Sequence, residues 1–350
     1  MKVAVIFGGK STENYVSRMS AVSVVNNLDK VKYEIVMIGI TEEGKWIHYI
    51  GDIDNLTEEN WSIYAETDGN VKNGIERLMQ DDIDIIFPVL HGPNGEDGTV
   101  QGLFELLAKP YVGCGVLASA ISMDKAYTKR ICRDAGINQC KYLAFERCEL
   151  ERNIDGCIEH IEHELGYPNF VKPANAGSSV GTNKAKDRED LKNALLTAAS
   201  YDIRIVVEEF VNGREIECAL LGNYDAQVAI PGEVIAANEF YDYEAKYFNE
   251  GSSTQIPAQL TNEQQEEVMG LALKIYRTLD CKGLSRIDFF LDRDTGKFIF
   301  NEVNTLPGFT NISMYSKMWA ACGIPYNKLL DKLIELAFEN FEGCKRKYTV

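Results

Sequence analysis

Four polar side chains stand at alternate positions in two apolar segments near the end of the chain. They are Arg286 and Asp288 in "SRIDFF", and Glu302 and Asn304 in "FIFNEVN". Side chains alternate between the faces of a strand, so each pair shares a face, and a turn at "DRDTG" would bring the pairs opposite each other in a hairpin. Two carboxylates this close repel each other unless a cation lies between them, and hard oxygen ligands suit Mg²⁺. Because the flanking residues are strongly apolar, the pattern favours a metal site over charge on a solvated hairpin.

A glycine- and serine-rich stretch follows another apolar strand. In "FVKPANAGSSVG", Lys172 ends the strand, and Gly177 and Gly181 flank two serines. Glycines let backbone N–H groups approach a phosphate, and the lysine supplies positive charge. The stretch has neither the GK[ST] of a Walker A loop nor a GxGxxG fingerprint. Taken alone, it is equally consistent with a phosphate-binding loop and with a flexible hairpin tip.

Three further stretches carry acidic groups at the ends of apolar segments. "VVEEFVNGRE" places Glu208 and Glu209 at the end of a buried strand, where a carboxylate could accept from a ribose hydroxyl or simply be solvated. "GGKSTE" supplies Glu13, and "HGPNGEDG" supplies His91 and Glu96. A carboxylate there could hold a substrate ammonium, although a turn is the simpler interpretation of "HGPNGEDG" without its context.

The first third of the chain alternates strand and helix patterns that would position these groups. Strands are predicted at "KVAVIFGG", "YEIVMIGI", "IDIIFPVLHG" and "YVGCG", and helices over residues 16–28 and at "TVQGLFELLAKP". A βαβ series of this kind predicts a parallel sheet with both faces covered, whose ligands lie beyond the carboxyl ends of the strands. "GGKSTE" and "HGPNGEDG" fall at those ends.

The pattern changes after about residue 120. A helix at "MDKAYTKRICRDAG", capped by Gly136, is followed by strands on either side of the glycine loop, a helix at "REDLKNALLTAAS" and a strand at "IRIVVEEFV". Two more strand segments, a helix near 262–279 and the hairpin over 286–304 complete the chain. The sequence therefore predicts an α/β (α+β) protein with a parallel sheet in its first third and a different pattern of strands and helices after about residue 120.

Composition argues against a nucleic-acid-binding protein and against a membrane protein. The chain has 350 residues, 45% of them apolar, and a net charge of −17, which lacks the basic footprint of a nucleic-acid-binding protein. No apolar run reaches the roughly 20 residues of a membrane span, and "MKVAVIFGG" is typical of a buried first strand rather than a signal peptide. Nine cysteines without a CxxC pair indicate reduced thiols and a cytoplasmic protein.

Taken together, the motifs resemble the D-alanine–D-alanine ligase family of the ATP-grasp superfamily. The stretches "GGKSTE", "HGPNGEDGTVQG", "MDK", "VKPANAGSSVG", "EEFVNGRE", "FYDYEAKY", "SRIDFF" and "NEVNTLPGFT" occur in the order typical of that family, over nearly the whole chain. The resemblance implies an ATP-grasp fold with an N-terminal parallel-sheet domain (1–120), a central subdomain (121–210) and a C-terminal subdomain (211–350). It implies ATP clasped between the last two, a homodimer, and two Mg²⁺ ions or Mn²⁺ in their place.

The resemblance also implies roles for individual residues. The catalytic set is Glu13, Ser178, Tyr247, Arg286 and Gly308, the last through its backbone N–H. The ATP-binding set is Lys125, Lys172, Glu208, Glu209, Val211, Glu215 and Lys246, with Lys246 on a mobile loop over 236–256. The substrate-binding set is His91, Ser313 and Met314, and the metal ligands are Asp288, Glu302 and Asn304.

Three functions remain as hypotheses. The first is an ATP-dependent ligase that joins two D-alanines for peptidoglycan precursor synthesis through an acyl phosphate. The second is the D-alanine–D-serine ligase branch of the vancomycin-resistance type. Met314 stands where the D-alanine enzymes usually carry leucine and the D-serine enzymes arginine, which favours the first hypothesis. The third, a catalytically silent ATP-binding protein, predicts loss of metal ligands or of the arginine, and Arg286, Asp288, Glu302 and Asn304 are all present.

Overall fold

The computed structural model describes residues 1–67, 70–235, 253–310 and 313–345. Its strands are β1 (Lys2–Gly8), β2 (Glu34–Ile40), β3 (Trp46–Tyr49), β4 (Glu66–Thr67), β5 (Asn70–Val71), β6 (Ile85–Pro88), β7 (Tyr142–Glu146), β8 (Asn169–Pro173), β9 (Asn183–Ala185), β10 (Arg204–Glu209), β11 (Gly213–Gly222), β12 (Gln227–Val228), β13 (Gly232–Ile235), β14 (Ser253–Gln255), β15 (Gly283–Asp292) and β16 (Phe298–Asn304). Its α-helices are α1 (Asn14–Asn27), α2 (Gly74–Leu78), α3 (Thr99–Leu106), α4 (Val116–Met123), α5 (Lys125–Asp134), α6 (Arg147–Glu164), α7 (Arg188–Tyr201), α8 (Asn262–Thr278), α9 (Met314–Ala321) and α10 (Tyr326–Gly343). Within these ranges, no helix combines the length and the apolar character that crossing a membrane requires.

The first sheet has the strand order β3-β2-β1-β6, and β1 runs parallel to both β2 and β6. Alternate residues of β1 enter two separate hydrophobic cores: Val5 and Phe7 face one, and Ala4 and Ile6 face the other. The predicted parallel sheet with two covered faces is therefore confirmed. The edge strand β3, which pairs antiparallel with β2, was not predicted and makes the sheet mixed.

The strand predicted at "YVGCG" is wrong. Tyr111 forms a single isolated bridge with Ile86 and no ladder. The reason is the backbone of Gly113, whose φ of +109° turns the chain away after two residues. This turn brings Gly113 against Gly283 at the start of β15, where an added Cβ would lie 3.2 Å from the Gly113 nitrogen. Contact with the third sheet thus replaces strand pairing at this point.

The second sheet, in the order β7-β10-β8-β9, is antiparallel throughout. Apolar residues of α6 and α7 pack on one of its faces, among them Ile158, Leu191 and Leu195. Helix α5 leads into this sheet and ends as predicted, because Gly136 follows its last turn with a φ of +69°. The glycine-rich loop connects β8 to β9.

The third sheet, in the order β14-β13-β11-β15-β16, contains the predicted hairpin as β15 and β16. Phe289 and Phe300 form an edge-to-face pair with ring centroids 6.2 Å apart, and both are at most 1% exposed. They pack with residues of α8 such as Ala272 and Ile275 in one core. The aromatic face of the hairpin is thereby buried, which leaves its other face for polar side chains.

The buried aromatic face of the hairpin should contribute strongly to the stability of the fold. Phe300→Ala should lower the free energy of unfolding by about 3–5 kcal/mol, because it removes a fully buried ring and leaves a cavity. Leu106→Ala is the control, since Leu106 is 86% exposed and its truncation should change stability by less than about 0.5 kcal/mol. Urea denaturation followed by circular dichroism measures both. Equal midpoints for the two variants would contradict the packing described here.

Candidate functional site

The polar face of the hairpin carries Arg286, Asp288, Glu302 and Asn304. In the strand register, Arg286 lies opposite Asn304 and Asp288 lies opposite Glu302. A register shift follows Asp288, so the polar pairs and the aromatic pairs are separated by a bulge. The Asn304 side-chain amide donates to Asp288 Oδ2 at 2.9 Å. The predicted convergence of these side chains on one face is therefore what the structure shows.

Arg286 is held between two carboxylates. Its Nε and Nη2 donate to the two oxygens of Asp288 at 2.7 and 2.6 Å, and Nε lies 3.2 Å from Glu217 Oε2 on the neighbouring strand β11. Burial by itself would lower the pKa of Arg286, but Asp288 and Glu217 hold that pKa well above its ordinary value. The guanidinium is thus fixed in one orientation and permanently charged.

The start of α5 joins the hairpin to the glycine-rich loop. Asp124 caps the helix by accepting from the N–H groups of Ala126 and Tyr127, which places Lys125 in the first turn. Lys125 Nζ donates to the Ala176 carbonyl at 2.8 Å and lies 3.7 Å from Glu302 Oε2. One ammonium therefore bridges the glycine-rich loop and the end of β16.

Glu13 meets the glycine-rich loop from the first sheet. The Ser178 hydroxyl donates to Glu13 Oε1. A Cβ at Gly177 would lie 2.3 Å from Glu13 Oε2, and one at Gly92 would lie 2.5 Å from the same atom. Glycine at both positions is what lets two loops close around this carboxylate.

The "HGPNGEDG" loop binds the "NTLPGFT" loop that follows β16. Glu96 accepts from the N–H groups of Gly92 at 2.8 Å and Leu306 at 2.9 Å, and the His91 Nδ1–H donates to the Leu306 carbonyl at 3.1 Å. Burial raises the pKa of Glu96 to about 8, with a further contribution from Glu13, and burial lowers the pKa of His91. These contacts fix the position of the loop that carries Gly308.

Two adjoining cavities open between these elements. The first, about 540 Å³, is lined by Glu13, His91, Arg286, Asn304, Gly308, Ser313 and Met314 among others. The second, about 560 Å³, is lined by Lys172, Glu208, Glu209, Val211 and Glu215 among others. Lys125, Ser178 and Glu302 belong to the walls of both. A molecule in one cavity would therefore meet a molecule in the other beside a lysine, a hydroxyl and a carboxylate.

The second cavity is lined by aromatic rings and by charged groups. The rings of Phe170 and Phe210 stack with centroids 6.2 Å apart at an interplanar angle of 27°. Lys172 Nζ lies 2.7 Å from Glu208 Oε2. Flat aromatic faces suit a nucleobase, and lysines suit phosphates, so the cavity has the chemistry of a nucleotide site.

Of the residues predicted for the site, Asp288 does not reach a cavity wall. It is 1% exposed and lies behind Arg286. Lys246 and Tyr247 lie outside the described residues. The other predicted residues border one of the two cavities or both.

Sequence reasoning missed Glu217. With Glu215 and Asp288 it forms a group whose carboxylate oxygens lie within 4.8 Å of one another, close enough to share a cation. The signal was present in "REIEC", because Glu215 and Glu217 stand two apart on one strand and share a face. What the sequence alone did not give was the neighbouring strand that carries Asp288.

Comparison with protein families and known proteins agrees with this geometry. The model described as "D-ala D-ala ligase N-terminus" matches residues 2–114, and "D-ala D-ala ligase C-terminus" matches residues 131–335. The D-alanine--D-alanine ligase of Ruminiclostridium cellulolyticum is 52% identical over 99% of this chain and 98% of that protein. The enzyme of the same name from Acetivibrio thermocellus is 48% identical, with 99% and 98% covered.

Solved structures share the fold. The VanG D-Ala:D-Ser ligase from Enterococcus faecalis superposes with a TM-score of 0.84 at 39% identity, covering 96% of this chain and 99% of that one. The D-alanine--D-alanine ligase from Bacillus anthracis complexed with ATP gives 0.76 at 31% identity, with 98% and 99% covered. The two family models, the whole-length identities and the two adjoining cavities together place this chain in the D-alanine–D-alanine ligase family, with its ATP-grasp fold.

Proposed function

We propose that this chain joins two D-alanine molecules into D-alanyl-D-alanine at the expense of ATP, for the synthesis of peptidoglycan precursors. The observation that carries the proposal is the common wall of the two cavities at Lys125, Ser178 and Glu302. ATP in the second cavity would point its terminal phosphate toward this wall. An amino acid in the first cavity would present its carboxylate from the other side.

In the first step, the carboxylate of one D-alanine attacks the γ-phosphate and forms an acyl phosphate, with ADP as the leaving group. The charge repulsion between these two anions is offset by the ammonium groups of Lys125 and Lys172. Glu13 and the Ser178 hydroxyl would orient the amino acid, since they form one hydrogen-bonded group in its cavity. Positioning of this kind accounts for a large part of the rate in a bimolecular step.

The residues present fit a divalent ion. Glu302 and Asn304 line the first cavity with a carboxylate and an amide oxygen, donors that Mg²⁺ prefers. Asp288 is the third oxygen donor on this face of the hairpin, and both its oxygens accept from Arg286 in this structure, so it would have to release one of them to bind the ion. Bound there, Mg²⁺ would neutralise phosphate charge and align the phosphates for transfer. Glu302 borders both cavities, so it is the ligand placed closest to the proposed reaction centre.

In the second step, the neutral amine of another D-alanine attacks the acyl carbon, and phosphate leaves as the amide bond forms. Arg286 and the backbone N–H of Gly308 would donate to the oxyanion of the tetrahedral intermediate. Asp288 and Glu217 hold the arginine in place beforehand, so little reorganisation is needed when the charge develops. The pKa of Arg286 stays above its ordinary value, which keeps it a donor across the working pH range.

The second amino acid would be selected at the start of α9. Met314 is 8% exposed and lines the first cavity, and its terminal methyl lies where a Cβ on Gly232 would be only 2.4 Å away. An apolar side chain at this point suits the methyl group of D-alanine. D-alanine–D-serine ligase activity ranks second. The hydroxyl of a D-serine would need a polar partner, which Met314 does not supply.

We further propose the division into three domains that the family resemblance implies. The strands of the first large sheet lie before residue 89, those of the second over 142–209 and those of the third over 213–304, which is compatible with boundaries near 120 and 210. A homodimer and a cytoplasmic location are also proposed from the resemblance. Light scattering of the purified chain would test the dimer.

The proposed reaction predicts a strict requirement for three components. Phosphate release should need D-alanine, ATP and Mg²⁺ together, and EDTA should abolish it until Mg²⁺ is restored. A coupled phosphate assay with single omissions, together with mass spectrometry of the product, makes this measurement. ATP binding without any D-alanyl-D-alanine would instead support a catalytically silent protein.

The oxyanion role predicts that Arg286→Met lowers kcat by roughly 10²- to 10³-fold, because a charged donor to the oxyanion is lost. Arg286→Lys keeps the charge but not the paired geometry, and we expect an intermediate loss. Thermal unfolding of both variants must be measured as well, since Asp288 and Glu217 lose their buried partner. A folded Arg286→Met enzyme with full kcat would rule out this role.

The selection at Met314 predicts that Met314→Arg shifts the product from D-alanyl-D-alanine toward D-alanyl-D-serine. The introduced guanidinium would offer donors to a hydroxyl and would no longer match a methyl group. Mass spectrometry of products formed in equal D-alanine and D-serine measures the ratio. Met314→Leu, of similar volume and apolar, is the control and should keep the D-alanine product. An unchanged ratio in Met314→Arg would show that this residue does not read the second substrate.

A further inference from the structure

A fully buried lysine lies behind the second cavity. Lys129, one helical turn after Lys125 on α5, is 1% exposed. A buried ammonium is strongly unfavourable unless it is paired and hydrogen-bonded. Its partners therefore indicate why a charge is kept at this position.

The main partner of Lys129 is the carboxylate of Glu208. Lys129 Nζ lies 3.0 Å from Glu208 Oε1, while Lys172 Nζ lies 2.7 Å from Glu208 Oε2. Lys129 Nζ also lies 3.6 Å from Cys140 Sγ and 5.7 Å from the centroid of the Tyr142 ring. One carboxylate thus stands between two ammonium groups, each bound to a different oxygen.

Lys129 and Glu208 are both charged. Burial would lower the pKa of Lys129, but the Glu208 carboxylate outweighs it and holds that pKa above the ordinary lysine value. Burial would raise the pKa of Glu208, but Lys129 and Lys172 lower it to about 2. The three groups therefore carry a net charge of +1 at neutral pH, and without Lys129 they would carry none.

Lys129 acts through other residues rather than on a bound molecule. Lys172, Glu208 and Cys140 line the second cavity, whereas Lys129 lies behind them. Removing its ammonium would leave Glu208 Oε1 without its ionic partner and make Lys172 the only counter-charge of the carboxylate among the described residues. The contact between Lys172 and Glu208, already 2.7 Å long, would then hold Lys172 more strongly and make its charge less available to the phosphates of a nucleotide.

We propose that Lys129 is a positioning residue for nucleotide binding, which neutralises Glu208 from behind the cavity wall and so leaves the charge of Lys172 available to ATP. This inference rests on the proposed function, since it requires ATP in the second cavity. It assigns to α5 a second role besides placing Lys125. It also explains why a chain would keep an ammonium at a position that solvent does not reach.

The test is Lys129→Met, which keeps the length of the side chain and removes its charge. The dissociation constant of the non-hydrolysable analogue AMP-PNP with Mg²⁺, measured by calorimetry, should rise by roughly 10- to 100-fold. The KM for ATP should rise with it, while kcat at saturating ATP and the KM for D-alanine change little. This split between KM and kcat would not follow from a general loss of folded protein.

Two further variants control for charge and for surface effects. Lys192→Met on α7 removes a lysine that is 48% exposed and 3.7 Å from Asp155, and it should leave AMP-PNP binding unchanged. Lys129→Arg keeps a charge at the buried position and should restore binding toward the wild-type value. Unchanged AMP-PNP affinity in Lys129→Met, with only a lower melting temperature, would overturn the proposal and leave a structural role.

The double variant Lys129→Met/Glu208→Gln decides the matter if the single variant does not fold, because it leaves no unpaired carboxylate. If Lys129 acts through Glu208, the double variant should bind AMP-PNP no more weakly than Glu208→Gln alone. A further loss of affinity would overturn the proposed route. A wild-type chain that binds no AMP-PNP would instead refute the proposed function itself, and it would be recognised before any variant is compared.

Discussion

Opposite charges buried side by side determine the geometry of both cavities. In the first, Arg286 stands between Asp288 and Glu217. In the second, Glu208 stands between Lys129 and Lys172. Removing one member of either arrangement would destabilise it, because a buried charge without its partner is strongly unfavourable. The side chains that face a substrate are thereby held in one orientation before any substrate arrives.

The contacts that assemble the site come from three sheets. Glu13 from the first sheet accepts from Ser178 in the second, and Glu96 accepts from Leu306 after the third. Lys125 links the glycine-rich loop to Glu302. These links use polar groups near strand ends and in loops, while the apolar faces of the sheets pack in hydrophobic cores, one of which joins the first and third sheets. The fold thus separates the residues that give stability from those that give chemistry.

The fold is shared with relatives that differ in their second substrate, so it does not by itself distinguish D-alanine from D-serine. We propose that this choice depends on a few side chains at the first cavity, among them Met314. The terminal methyl of Met314 lies over Gly232, and a side chain at position 232 would displace this methyl. In the proposed function, specificity for the second substrate is a local property of packing around one side chain, whereas ATP binding depends on the buried charges around Glu208.

The sequence by itself determined the elements whose signals are local. The alternation of side chains along each strand predicted the hairpin and the shared face of Glu302 and Asn304, whereas the register and the bulge after Asp288 were not predicted. The order of the motifs identified the family. These features follow from neighbours in the chain, which periodicity and turn residues report directly.

Only the tertiary structure decided which distant groups meet. The bond from the Leu306 N–H to Glu96 joins residues 210 positions apart, and no local pattern fixes such a contact. The same holds for Glu217 beside Arg286 and for Lys129 beside Glu208, which the sequence analysis did not identify. The depth of Asp288 was not predicted either. The sequence predicted the face of the strand on which it lies, but its side chain lies behind Arg286 rather than at a cavity wall. Strand periodicity sets the face on which a side chain lies, whereas its partners and its depth depend on how separate strands and helices pack.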